Sequence, residues 1–273
     1  MPLAKIQSDI LRLLAVHRDP ESYVAGSTPL NVDGPRYSGD IDIFHDREER
    51  VAQVAQDDSA VLQAEGFALQ WLRREPAMYV VMATRGGATT KLEWVADSDY
   101  RFFPTMKDDT FGYVLHPVDL AANKVMAAAG RQEPRDAVDL VMINDRVLPL
   151  GSVVWAAVKK SLGFTPEGLI NEVRRNARYT EADFRRVASD PPVDPVATMV
   201  RLRELLAEAD AFVVRMPTDK AGLLFMHGDK VVHPDPDRLD TYQTHAGQRR
   251  GHWPSSPEIA AAMFERYNKK PSP

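Results

Sequence analysis

Gly26-Ser27-Thr28-Pro29-Leu30-Asn31-Val32-Asp33-Gly34-Pro35-Arg36-Tyr37-Ser38-Gly39-Asp40-Ile41-Asp42-Ile43-Phe44 is the stretch on which the reading of this chain turns. Ahead of it, Tyr23-Val24-Ala25 is a short apolar run that stops at Gly26-Ser27, as a strand does at a turn. A run of turn formers follows. Asp40 to Phe44 then alternates polar and apolar, which predicts a half-buried strand with both aspartates on one face.

Working outward, Leu3, Ile6, Ile10, Leu13 and Leu14 fall on one helical stripe. Charge interrupts this first segment and it has no small-residue cleavage site, so it reads as an amphipathic helix rather than a signal peptide. Downstream, Asp46 with Glu49 reads as an N-terminal capping pattern for a helix reaching about Glu65. Ala77–Thr84 and Thr89–Val95, joined by Arg85-Gly86-Gly87-Ala88, predict a hairpin whose second strand carries Lys91, Glu93 and Val95 on one face.

These pieces share a chemistry. A Gly-Ser turn after a strand leaves backbone amides and a hydroxyl for phosphate oxygens, making Gly26 and Ser27 candidates for nucleotide binding. Carboxylates at i and i+2 on a strand repel, and a divalent cation relieves them. Asp40 and Asp42 are therefore metal-ligand candidates, and Glu93 on a neighbouring strand would complete the set. Two metal ions so held align an in-line phosphoryl displacement, and Glu93 could also serve as the base for an incoming hydroxyl. The bland alternative is a solvated acidic strand face.

From His116 the pattern turns helical. Pro117 suits a first helical position, Gly130 a left-handed C-cap, and Pro134 opens a second helix. Lys124, among small side chains, faces either solvent or a cleft, where a compact charge suits a triphosphate. Asp136 is either a complement to the helix dipole or a site acid. Asp139 shares its face and could hold Arg135 or Lys124. Further helices are expected near 150–162, 166–178, 181–188 and 195–211, a small β-rich or irregular module over 212–253, and a last helix near 257–267.

The 273 residues are 44% hydrophobic and 27% charged, ordinary globular usage. There is no cysteine, which excludes disulfides and thiolate chemistry. The seven histidines show no metal-ligand spacing. Without a long apolar run, a membrane role is not expected and the cytoplasm is the expected compartment. The net charge is −5, so bulk charge does not advertise nucleic-acid binding. The acids concentrate before residue 150. Over 151–186, Lys159, Lys160, Arg174, Arg175, Arg178, Arg185 and Arg186 outnumber the acids; they form either a solvated face or a surface for an RNA backbone. Tyr179 and Trp155 could stack bases, though core packing is the simpler reading.

Gly26-Ser27 with Arg36-Tyr37-Ser38-Gly39-Asp40-Ile41-Asp42 resembles the signature of nucleotidyltransferases related to DNA polymerase beta. His116-Pro117-Val118-Asp119-Leu120-Ala121-Ala122-Asn123-Lys124 and Arg131-Gln132-Glu133-Pro134-Arg135-Asp136-Ala137-Val138-Asp139-Leu140 resemble the AbiEii branch, which includes the mycobacterial MenT toxins. The resemblance covers about residues 20–145. It implies an α/β nucleotidyltransferase fold: a small mixed sheet flanked by helices over 1–145, a helical part over 146–211 and a small module over 212–273. It implies that Ser27 binds triphosphate, Asp40 and Asp42 hold metal, Lys124 contacts phosphates and Asp136 is an essential acid, with Glu93 in the position of the third acid. The expected reaction is Mg²⁺- or Mn²⁺-dependent transfer from an NTP to an acceptor hydroxyl, with RNA (a tRNA 3′ end) as acceptor and an antitoxin as partner. The rival readings are an adenylyltransferase of a small molecule or protein, and an inactive nucleotide- or partner-binding relative.

Overall fold

The computed structural model describes residues 3–249 apart from 33, 98, 99 and 162. The helix expected near 257–267 lies outside the described residues. The chain divides into two units, one built on Met1–His116 and one on Pro117–Gln248.

In the first unit, α1 (Lys5–Leu14) leads to β1 (Ser22–Ala25), the single-turn α2 (Ser27–Leu30), β2 (Asp40–His45) and α3 (Glu48–Ala64). Next come β3 (Ala68–Glu75), β4 (Met78–Arg85), β5 (Ala88–Ala96), and the short β6 (Tyr100–Arg101), β7 (Met106–Asp108) and β8 (Gly112–Val114). Seven strands form one sheet in the order β3-β4-β5-β2-β1-β8-β7. It is mixed: β2 runs parallel to β5 and β1 parallel to β8, while the remaining neighbours are antiparallel. The alternation read over Asp40–Phe44 holds. Ile41 and Ile43 of β2, with Leu92 and Trp94 of β5, are buried in one cluster with Ile6, Ile10 and Leu14 of α1 and Val51, Ala55 and Leu62 of α3. Two-residue periodicity then puts Asp40, Asp42, Lys91 and Glu93 on the opposite face of the sheet.

Three local expectations fail for identifiable reasons. β3 is missed because Gln70, Arg73, Arg74 and Glu75 mask its alternation; it is an edge strand, mostly exposed, where charge is tolerated and blocks further pairing. Asp46 does not cap α3, whose N-cap is Arg47 without a side-chain bond. Its carboxylate instead accepts hydrogen bonds from Arg101 at 2.6 and 2.7 Å, because a buried guanidinium is a stronger partner than a helix amide. Gly130 is the last residue of its helix and is not among the glycines with positive φ.

Below the sheet's apolar face, Asp58 of α3 is fully buried. It accepts from Arg18 Nη2 at 2.6 and 2.8 Å and from Trp94 Nε1 at 2.7 Å, and His17 Nδ1 lies 2.8 Å away. A buried carboxylate persists only when satisfied in this way.

The second unit contains α4 (Pro117–Gly130), α5 (Pro134–Arg146), α6 (Leu150–Ala157), α7 (Pro166–Asn176), the short α8 (Glu181–Phe184) and α9 (Pro195–Arg215), followed by strands β9 (Leu223–His227), β10 (Lys230–Val232) and β11 (Gln243–Ala246). β9 pairs antiparallel with both β10 and β11. The division falls at His116 rather than near 145 because α4 and α5 pack with α6, α7 and α9. The three-stranded sheet joins this unit through packing of β9 on α6. Trp155 is core, 2% exposed, its indole donating to Lys220 O at 2.9 Å. No single helix among the described residues is long and apolar enough to cross a membrane.

Candidate active site

The register of two parallel strands assembles the acidic site. Asp40 stands opposite Lys91 and Asp42 opposite Glu93. Oxygens of Asp40, Asp42 and Glu93 all lie within 4.8 Å of one another. Hard carboxylate oxygens at this spacing suit a hard divalent cation. Oxygens bound to one Mg²⁺ at about 2.1 Å sit no more than about 4.2 Å apart, so the donor set fits after a small contraction.

One cation belongs to the site already. Lys91 Nζ lies 3.3 Å from Asp40 Oδ2 and 2.5 Å from Glu93 Oε1. Burial works against its charge, but Glu93 and Asp40 outweigh it and hold the ammonium above its ordinary pKa.

Gly26 sits beside this cluster because Ala25 pairs with Asp42. Its φ is +67°, and a Cβ there would lie 1.8 Å from Asp42 Oδ2, so glycine is required by both conformation and space. Ser27 is 3% exposed and its hydroxyl lies 3.1 Å from Ser38 Oγ. The hydroxyls of Thr28 and Ser38 donate to Asp40 O at 2.7 and 2.8 Å, and Gln7 of α1 donates to Ser38 O at 2.9 Å. These bonds tie the Gly-Ser turn and its loop to the start of β2, fixing where Asp40 emerges.

The second unit gathers the other predicted residues. Lys124 is buried and lies 2.9 Å from Asp139 Oδ2 and 3.7 Å from Asp136 Oδ1. Both aspartates are fully buried. Arg131 binds Asp136 through Nε and Nη2, each at 2.8 Å. Lys124 therefore faces a carboxylate cluster, not bulk solvent. Tyr179 sits near this cluster: burial, and then the charge of Asp136, pushes its hydroxyl up to about 12. Its ring packs edge-on against Phe184.

The basic segment is less available than its count suggests. Lys160 is 4% exposed and bound to buried Asp119 at 3.0 Å. Arg174 pairs with Asp210 and Arg175 with Glu172. Arg174 and Arg175 are nonetheless exposed, as are Lys159, Arg178, Arg185 and Arg186.

No family model matches the chain, and no curated protein matches it. Among solved structures it resembles MenT4, a nucleotidyltransferase toxin from Mycobacterium tuberculosis H37Rv, with a TM-score of 0.55 and 18% identity over 78% of this chain and 83% of that one. The fold is a nucleotidyltransferase fold. The likeness extends well beyond residues 20–145, the span that carries the sequence motifs.

Sequence reasoning noted Lys91 only as a face-mate of Glu93 and did not weigh Arg131 as a partner of Asp136. Of the two partners open to Asp139, Arg135 and Lys124, the structure gives it Lys124, to which it is nearer than Asp136 is. The signal for Lys91 was present: on a strand, i and i+2 share a face, so a lysine two residues before a candidate ligand shares its site.

Proposed function

We propose that this chain is an enzyme that transfers a nucleoside monophosphate from an NTP to an acceptor hydroxyl and releases pyrophosphate. The observation that carries the reading is the carboxylate triad of Asp40, Asp42 and Glu93 on the central parallel strands of a nucleotidyltransferase fold. A divalent cation, Mg²⁺ or Mn²⁺, held by the triad would polarise the phosphate and neutralise charge developing in the displacement. Asp40 and Asp42 bind and orient. Glu93, besides binding, would accept the proton of the attacking hydroxyl. That oxygen bonds to the α-phosphorus as the bond to the β-phosphate oxygen breaks. Lys124 supplies a compact positive charge for the phosphates, and Asp136, clamped by Arg131, holds it in place with Asp139. Ser27 and Gly26 fix the turn beside the triad.

The proposed acceptor is RNA, the 3′ end of a tRNA, approached through the exposed Lys159, Arg178, Arg185 and Arg186. The biological reading is a growth-inhibiting toxin acting in the cytoplasm, where NTPs and tRNA meet, and controlled by a cognate antitoxin protein. A small-molecule acceptor is the second reading, favoured by the ion pairs that occupy Lys160, Arg174 and Arg175.

The test is incubation of the purified protein with each α-labelled NTP, Mg²⁺ and total RNA, followed by gel analysis. Label on a tRNA-sized band that Asp40→Asn abolishes is the expected result. Label on small products alone selects the second reading. No transfer from any NTP with either acceptor class sinks the enzymatic assignment.

A further inference from the structure

Lys91 lies inside the acidic site and yet has no part in the reaction as derived above. It stands opposite Asp40 in the register, and its ammonium contacts Asp40 and Glu93, two of the three carboxylates proposed to hold the cation. An ammonium and a divalent cation seek the same oxygens there and repel one another.

We propose that Lys91 is an internal competitor for the metal: its ammonium holds Asp40 and Glu93 together in the metal-free protein and must swing aside when a divalent cation binds. This rests on the triad being a cation site, as proposed above. Three carboxylates and one ammonium leave two net negative charges, which a single divalent cation neutralises. Lys91 therefore sets the site to take one cation weakly on its own. The ammonium has somewhere to go, because the side chain is about one-third exposed (35%) and its four-carbon stem is flexible. The triphosphate of an incoming NTP is an anion that would receive it. Lys91 thus couples the metal to the nucleotide: the phosphates draw the ammonium off the carboxylates, and the cation gains the oxygens released. Lys91 is a positioning residue in this account, acting through Asp40 and Glu93.

The experiment uses the full chain and reads Mn²⁺ binding by calorimetry and by loss of the free-ion electron paramagnetic resonance signal, so no turnover is involved. Wild type, Lys91→Met and Lys91→Arg are compared, with Asp42→Asn as the ligand-deficient control. A unit charge about 5 Å from a divalent ion, even in a water-like dielectric, changes affinity roughly ten-fold. Lys91→Met should bind Mn²⁺ about ten-fold more tightly than wild type, while Lys91→Arg stays within a few-fold of it. Thermal melting should show the metal-free Lys91→Met protein less stable than wild type and Mn²⁺ raising its melting temperature more. A non-hydrolysable NTP analogue should tighten Mn²⁺ binding more in wild type than in Lys91→Met. If Lys91→Met binds Mn²⁺ no more tightly than wild type while Asp42→Asn loses binding, the competitor role is wrong and the metal site stands. If no variant binds Mn²⁺ at all, the metal reading itself falls, and the competitor role falls with it.

Discussion

Replacing Gly26 with alanine isolates the geometry that makes the triad. The residue has φ +67° and ψ −145°, a region close to glycine-only, where a side chain costs about 1–3 kcal/mol. The added Cβ would also lie 1.8 Å from Asp42 Oδ2 and 2.7 Å from Asp42 Cγ. No contact that short survives, so the carboxylate must turn away from Asp40 and Glu93. Two separable effects follow. Denaturant unfolding should report a loss of about 1–3 kcal/mol from the backbone. Mn²⁺ affinity should fall by about 10–100-fold, as it does when the support of a metal ligand is removed. A double-mutant cycle with Asp42→Ala separates the two, because that truncation removes Oδ2 and Cγ and leaves only the Cβ contact at 3.0 Å. Gly26→Ala should therefore cost less stability in the Asp42→Ala background and should not reduce Mn²⁺ binding further. Wild-type Mn²⁺ affinity in Gly26→Ala, with stability changed by less than about 0.5 kcal/mol, refutes both the overlap and the strain.

Lys124→Ala should markedly weaken NTP binding measured by calorimetry and also destabilise by up to about 3–5 kcal/mol, because it takes the ammonium from buried Asp139 while Asp136 keeps Arg131; Lys124→Ala with Asp139→Asn should recover part of the stability and none of the binding. His45 is fully buried with no partner at either ring nitrogen among the described residues, and burial, then the charge of Arg18, lowers its pKa to about 3. Above about pH 6.5 it is neutral folded or unfolded; below that the unfolded chain takes a proton that the fold refuses, so stability should fall with a slope approaching 1.4 kcal/mol per pH unit. Urea melts between pH 7 and pH 5 on wild type and His45→Phe check this: the slope should shrink in the variant. Charge reversal at Arg178, Arg185 and Arg186 should raise the apparent KM for RNA and flatten its salt dependence, leaving NTP binding untouched; unchanged RNA modification at moderate salt turns those arginines into a solvated face.

The acidic triad was legible because its logic is local. Asp-x-Asp on an alternating strand, and Glu93 on a strand of the same pattern, needed only a period of two to place them, and the one long-range fact required was that β2 lies beside β5. The companions of Lys124 were half legible: a helical period puts Asp136 and Asp139 on one face, but which of them takes the ammonium is decided by packing between α4 and α5. Asp46 shows the opposite case. Its spacing to Glu49 is a good cap signal, and a distant arginine, Arg101, outbid the helix for it. Edge strand β3 stayed hidden because its exposed side chains are under no pressure to alternate. The ion pairing of Arg174, Arg175 and Lys160 was likewise unreadable, since their acidic partners Asp210, Glu172 and Asp119 are set by tertiary contacts or by a helical turn.

The parallel pairing of β2 with β5 carries a consequence for when this protein becomes chemically competent. Parallel neighbours cannot be joined by a tight turn, and here the chain makes α3, β3 and β4 before it returns with β5. Asp40 and Asp42 leave the ribosome early, but a nascent chain ending before β5 has two carboxylates and neither Glu93 nor Lys91. Within β5 a slip of one residue would turn Lys91 and Glu93 to the apolar face and bring Leu92 and Trp94 to the site. Truncation before β5 and a one-residue slip of β5 therefore leave the same incomplete site, because the triad forms only when β5 pairs with β2 in register.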